Sequence, residues 1–191
     1  MVMQTYPILT KLSRTYREGI GSVVFEWALL ENSVAKITYY LLNVGLKHGR
    51  VSVRSPRAVD QIAMIRQLMT IDGISIKDDG LDKIQKGIGH LERSRDLVAH
   101  GIWLKSDVGG TIVQDLSGTW KPSHRKKKVA RRIDPQGLLI KESDLKTVAQ
   151  LIRICRGKVE MFGEKLKVVV QPLRNKSQQQ SPAANPQNES N

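Results

Sequence analysis

The chain has 191 residues, enough for one domain with a sizeable core, and its 40% hydrophobic and 26% charged content is ordinary for a globular protein. A single cysteine excludes an internal disulfide, and no run of about 18 apolar residues is present to span a bilayer. The net charge of +13 is concentrated late: residues 121–176 hold 16 Lys and Arg against 5 Asp and Glu, a one-sided field that suits a polyanion, most simply nucleic acid.

Residues 1–12 are mixed, and Pro7 argues against a helix through them. Lys11, Arg14, Arg17 and Glu18, without an apolar run, predict no signal peptide, and a cytoplasmic location is the expectation. From about Thr15 to Leu46 the spacing predicts a long helix. Ile20, Val23, Trp27, Leu30, Val34, Ile37, Leu41 and Val44 recur at steps of three and four, a seam that calls for an antiparallel or dimer partner helix. Residues 45–53 read as a connection. Ser55-Pro56 reads as a helix start, with Ala58, Ile62, Ile65 and Met69 on one face and Asp72-Gly73 as the turn that follows.

The next helix, with Asp78 or Asp79 as its cap, carries Leu81, Ile84, Ile88 and Leu91 on one face. Continuing the steps lands on Arg95 and then Val98, so a guanidinium occupies a position the pattern reserves for an apolar side chain. An unpaired buried charge is costly, so Arg95 either meets a partner or faces a cleft. Glu26 and Glu31, flanking the first seam, are the partners within reach of the pattern. The helix ends at His100-Gly101, with Gly101 free to turn left-handed. Asp96 lies four residues before His100, where its carboxylate can orient the imidazole. Arg95 lies five before, roughly 140° away around the helix. Gly87 and Gly89 lower helix propensity and suggest close packing against a neighbour.

Arg95-Asp96-x-x-x-His100 resembles the Arg-x(4–6)-His motif of HEPN domains, in which a polar residue commonly follows the arginine. Arg93 also satisfies the spacing, but Arg95 has the polar follower and lies on the stripe. The resemblance covers roughly the first hundred residues. It implies a mainly α, HEPN-like antiparallel helical bundle, a homodimer with two motifs facing each other, and metal-independent endoribonuclease activity on RNA with no cofactor. Arg95, Asp96 and His100 are then the catalytic residues: Arg95 steadies charge on the phosphoryl oxygens, His100 moves protons, and Asp96 orients it. Toxin, defence and housekeeping roles, and an inhibitory partner protein, are all open at this point.

After Gly101 the period changes. Residues 102–107, Gly109-Gly110 and residues 111–116 read as a β-hairpin, with a third strand at Thr119-Trp120 or residues 129–133. Arg125, Lys126, Lys127, Lys128, Arg131 and Arg132 form the densest basic patch and are the candidate nucleic-acid-binding residues. Trp103 and Trp120 flank this insertion, either stacking bases or packing a small sheet on the helices. Residues 142–169 predict a second long helix, with Ser143 as its cap. Its seam of Leu145, Val148, Ile152, Cys155, Val159, Phe162, Leu166 and Val169 matches the first in length. Cys155 on that seam reads as core. From Pro172 the Gln-, Asn-, Ser- and Pro-rich composition reads as a disordered tail. The organisation expected is one helical domain over 1–171, a β insertion at about 102–135, and a tail over 172–191. The second reading of function, from another class, is a non-catalytic nucleic-acid-binding module using the basic 121–132 segment.

Overall fold

The computed structural model describes residues 12–53, 57–76, 80–105, 111–114 and 138–180. Those residues form α1 (Arg14–Leu41), α2 (Leu46–Ser52), α3 (Ala58–Ile71), α4 (Leu81–His100), β1 (Ile102–Lys105), β2 (Thr111–Gln114), β3 (Leu138–Ile140) and α5 (Glu142–Gln180). The basic run Arg125–Arg132, Trp120, Ser55-Pro56, Asp78, Asp79 and the Gly109-Gly110 turn lie outside the described residues. The protein is a mainly helical bundle with a three-stranded antiparallel sheet in the order β1-β2-β3. No helix among the described residues is long and apolar enough to cross a membrane.

The two long seams are where the spacing puts them, and they share one core. Val23, Trp27, Leu30, Val34 and Ile37 of α1 and Leu145, Ile152, Val159, Phe162 and Leu166 of α5 are all buried in it, with Ile62, Ile65, Ile84 and Ile88 of α3 and α4. The direction of the pairing departs from the expected antiparallel bundle. Ser13 meets Glu142, Glu26 meets Arg153, Ser33 meets Glu160 and Tyr40 meets Gln171, so the residue numbers rise together along the two helices. The α1 and α5 helices are therefore parallel. Periodicity shows which face is buried and is silent about direction. Glycines help them approach: a Cβ at Gly19 would lie 2.8 Å from the Leu145 side chain, and one at Gly163 would lie 3.2 Å from Ile37. The α3 and α4 helices are antiparallel, since Arg57 pairs with Glu92 and Arg66 with Asp82.

Several ends differ from the sequence reading for identifiable reasons. The first helix stops at Leu41 instead of reaching Leu46. Asn43 takes a left-handed φ of 55°, and the Asn43 and Val44 amides donate to the Tyr40 and Tyr39 carbonyls, a Schellman closure. The expected connection at 45–53 then winds into α2, where Gly49 sits under the Tyr39 ring so closely that a Cβ would lie 2.5 Å from it. The Asp72-Gly73 turn closes α3 in the same Schellman manner, with Gly73 at φ 62° and Ile74 tucked into the core behind it. Gly101 is extended, at φ −70° and ψ 154°, because the chain passes straight from α4 into β1.

Registered pairs Ile102 with Gln114 and Lys105 with Thr111 confirm the hairpin. The third strand is Leu138–Ile140, paired with β2, and not either of the segments first considered. The strand abuts the start of α5, and its last residue, Ile140, is buried in the core. Ser143, the expected cap, lies inside the first turn, and the Asp144 carboxylate reaches back to accept from the Lys141 amide at 2.8 Å. The last helix also runs on through Pro172 to Gln180, where a disordered tail was expected to begin. Arg174 holds this extension down: its guanidinium stacks on the Tyr40 ring at 4.7 Å and donates to the Tyr40 and Leu41 carbonyls at the open end of α1. Those tertiary bonds outweigh the hydrogen bond that proline forfeits.

Gly87 and Gly89 are not tight-packing positions. An added Cβ would meet Cys155 Sγ or Val59 Cγ2 at 3.7 Å, an ordinary contact. Gly87→Ala and Gly89→Ala are each expected to raise the unfolding free energy by about 0.5–1 kcal/mol through backbone entropy, read from denaturant midpoints. Cys155 is core, as its place on the seam implied. Its burial pushes the thiol up, so the native chain is expected to react with a disulfide reagent much more slowly than the urea-unfolded chain.

Candidate active site around Arg95

The α4 helix delivers Arg95 to the surface of α1. The guanidinium carbon lies 4.9 Å from the Trp27 ring centre, stacked over its face. Nη1 is 2.7 Å from the Asp96 carboxylate and Nη2 is 3.8 Å from that of Glu31. Nε is buried with no hydrogen-bond partner. The side chain is one-fifth exposed, whereas Asp96 and Glu31 are exposed over nearly half of theirs. Exposed ion pairs hold weakly, about 0–1 kcal/mol each, and the aromatic face adds about 0.5–2 kcal/mol. Arg95 thus meets partners, the first of the two outcomes its place on the stripe allowed, and its side chain keeps a small exposed part.

Of the two glutamates considered as its partner, Glu31 is the one it meets. Glu26 is buried and turned the other way, toward α5. Arg153 donates twice to Glu26 Oε1, at 2.9 and 2.7 Å, and Arg156 Nη1 lies 3.0 Å from Oε2. A helical wheel explains the division. Glu26 falls about 100° to one side of Trp27 and Glu31 about 40° to the other, so the seam residue separates them.

His100 occupies the last turn of α4 and is exposed. The carboxylate of Asp96 is engaged with Arg95, and among the described residues no hydrogen bond or ion pair joins Asp96 to His100. One turn before Asp96, Glu92 is buried and takes both ends of the Arg57 fork from the start of α3. Its charge raises the Arg57 guanidinium above the ordinary arginine value. Sequence reading passed over Glu92 because Leu91 continued the stripe. The i, i+4 step from Ile88 to Glu92 was the signal that it too faces inward.

Trp103 is structural. It is buried, and its ring meets Tyr16 edge-on with centroids 5.8 Å apart. The Tyr16 hydroxyl donates to the Ile140 carbonyl at 2.9 Å. One tyrosine of α1 therefore ties both margins of the sheet and fixes it at the end where α1 and α5 begin and α4 finishes. That is also where His100 emerges.

Trp27 is the contributor that sequence reading left in the core alone. It is 3% exposed, its indole Nε1 has no hydrogen-bond partner, and it serves as the floor beneath Arg95. The arrangement offers a supported cation with one free, if buried, donor, and a solvent-facing imidazole further along the same helix. No protein-family model, curated protein or solved structure matches the chain.

Proposed function

We propose that the chain is a HEPN-like endoribonuclease that acts on RNA without a metal ion, as a homodimer, with Arg95 and His100 in the reacting groove. One observation carries the reading: an arginine set on the packed side of α4, one-fifth exposed, is floored by Trp27 and held laterally only by half-exposed carboxylates, on the same helix as the exposed His100. Such a cation can exchange Asp96 for a phosphate, because phosphate offers the same charge-assisted bonds in a fork geometry. An imidazole then takes the 2′-hydroxyl proton, the 2′-oxygen attacks phosphorus, and the 5′-oxygen leaves with a proton from a second imidazole. The His100 residues of two copies supply base and acid.

In this reading the second copy packs on the α1 strip beside Arg95. Val24 and the exposed Ala28 lie within about 60° of Glu31 on α1, next to the strip that Arg95 covers. In this reading Asp96 holds Arg95 ready and His100 is oriented by the dimer or by RNA. The late basic segment gathers the polyanion, and a toxin or defence role with a dedicated inhibitor follows the same family likeness.

The 2.7 Å pair between Arg95 and Asp96 favours a second reading, a binding module without cleavage, in which that guanidinium stays on its own carboxylate. Incubating mixed RNA in EDTA with the chain and with His100→Ala separates the two. Cleavage by the first and not the second supports the nuclease. Equal binding with no cleavage by either leaves the module.

A further inference from the structure

The inner face of α5 is consumed by the core, yet its outer face carries apolar side chains at a regular step. Ile154, Met161 and Val168 are separated by seven residues each and are 47%, 65% and 74% exposed, and Leu151, 47% exposed, lies one turn ahead of Ile154. Lys158 and Lys165 complete the row, so Leu151, Ile154, Lys158, Met161, Lys165 and Val168 follow the three-four alternation of a coiled-coil seam. A seam of this kind on a single surface helix selects another helix.

The two lysines decide which helix and in what direction. In a parallel in-register pair each position meets its own copy, setting Lys158 on Lys158 and Lys165 on Lys165 in the middle of the contact. In an antiparallel pair the first position of the seam faces the fourth. Leu151 then meets Val168 of the second copy, Lys158 meets Met161, and Lys165 meets Ile154. Every lysine lies over an apolar partner, where its methylene stem packs and its ammonium reaches water. No charge faces its like, and the contact is self-complementary as a two-fold axis demands. We propose that the outer face of α5 is a self-association surface on which a second copy of the chain packs antiparallel, about an axis passing between Val159 and Glu160.

This contact is independent of the ribonuclease reading. At 1.5 Å per residue the start of α5 lies about 26 Å from the axis, so the two sheets and the two His100 ends point away from each other. It is a different surface from the α1 strip beside Arg95, and the two can be tested apart.

Variants of the full chain with one added cysteine give the test, with the unmodified chain, whose one cysteine is buried, as the control. Mixed Leu151→Cys and Val168→Cys chains are expected to form a disulfide with each other under mild oxidation, and neither with itself. Light scattering is expected to give at least twice the 21.5 kDa chain mass, and Met161→Lys, which sets an ammonium against Lys158 of the second copy, to raise the dimer dissociation constant about tenfold or more with an unchanged far-UV circular dichroism spectrum. Three results would overturn the proposal: a monomeric mass at every concentration, a self-linked Ile154→Cys dimer, or a dimer untouched by Met161→Lys that cross-links through Ala28→Cys. The last would locate association at the motif strip, and RNA cleavage that persists at the parent rate in Met161→Lys chains made monomeric by that substitution would sink the dimeric nuclease without bearing on α5.

Discussion

His100→Ala is expected to lower the rate of RNA cleavage by about 10²–10⁴-fold, the range that one positioned acid–base group supplies. The side chain is exposed on the last turn of α4, and among the described residues no hydrogen bond or ion pair involves it, so its removal should leave the melting temperature where it was. His90 is the matched control. It is exposed on the same helix ten residues earlier, and His90→Ala should cleave at the parent rate. Asp96→Asn refines the picture. Its carboxylate lies on Arg95, so neutralising it should increase RNA affinity by freeing the guanidinium. Were Asp96 needed to orient His100, cleavage would fall instead. Gel-based cleavage and filter binding on the same four proteins decide between these outcomes, and a His100→Ala protein as active as the parent ends the assignment.

Trp27→Ala is the substitution expected to cost most in stability, about 3–5 kcal/mol, against a total of roughly 5–15 kcal/mol for a domain of this kind. The indole is 3% exposed inside the core. Its loss opens a cavity and leaves Arg95 without the surface it stacks on. Trp27→Phe keeps an aromatic face and drops an indole N–H that has no partner, so it should cost much less. Urea melts of the three proteins measure this. If Trp27→Ala and Trp27→Phe melted alike, neither the filled volume nor the aromatic face that Phe retains would be stabilising the chain, and the stacking role of the ring would fall.

What could be read beforehand was whatever repeats. The faces of α1, α3, α4 and α5 follow from three-and-four spacing because burial selects side chains one at a time along a face. Arg95 stood out as a charge on that spacing, and it does pack against another helix. The features that escaped are set by partners distant in the chain. Glu26 and Glu31 fall on opposite sides of Trp27, and only the placement of α5, with Arg153 and Arg156, shows which side Arg95 is left with. Pro172 ends a helix by local rules, and the Arg174 contacts with Tyr40 override them. Gly101 suggested a left-handed stop, yet the strand that follows pulls it extended. The parallel run of α1 and α5 has no local signature at all.

That parallel run constrains how the protein is made. Partners such as Glu26 and Arg153, or Ser33 and Glu160, are separated by 127 positions. Parallel neighbours cannot be joined by a short turn, so nearly the whole intervening chain must be synthesised before α1 finds its companion. Closing so long a loop is entropically expensive and slows the search for the native state. A nascent chain halted before α5 leaves the ribosome would present the bare stripe of α1 to chaperones, and premature termination anywhere upstream of Glu142 should yield an aggregation-prone fragment and not a smaller working protein.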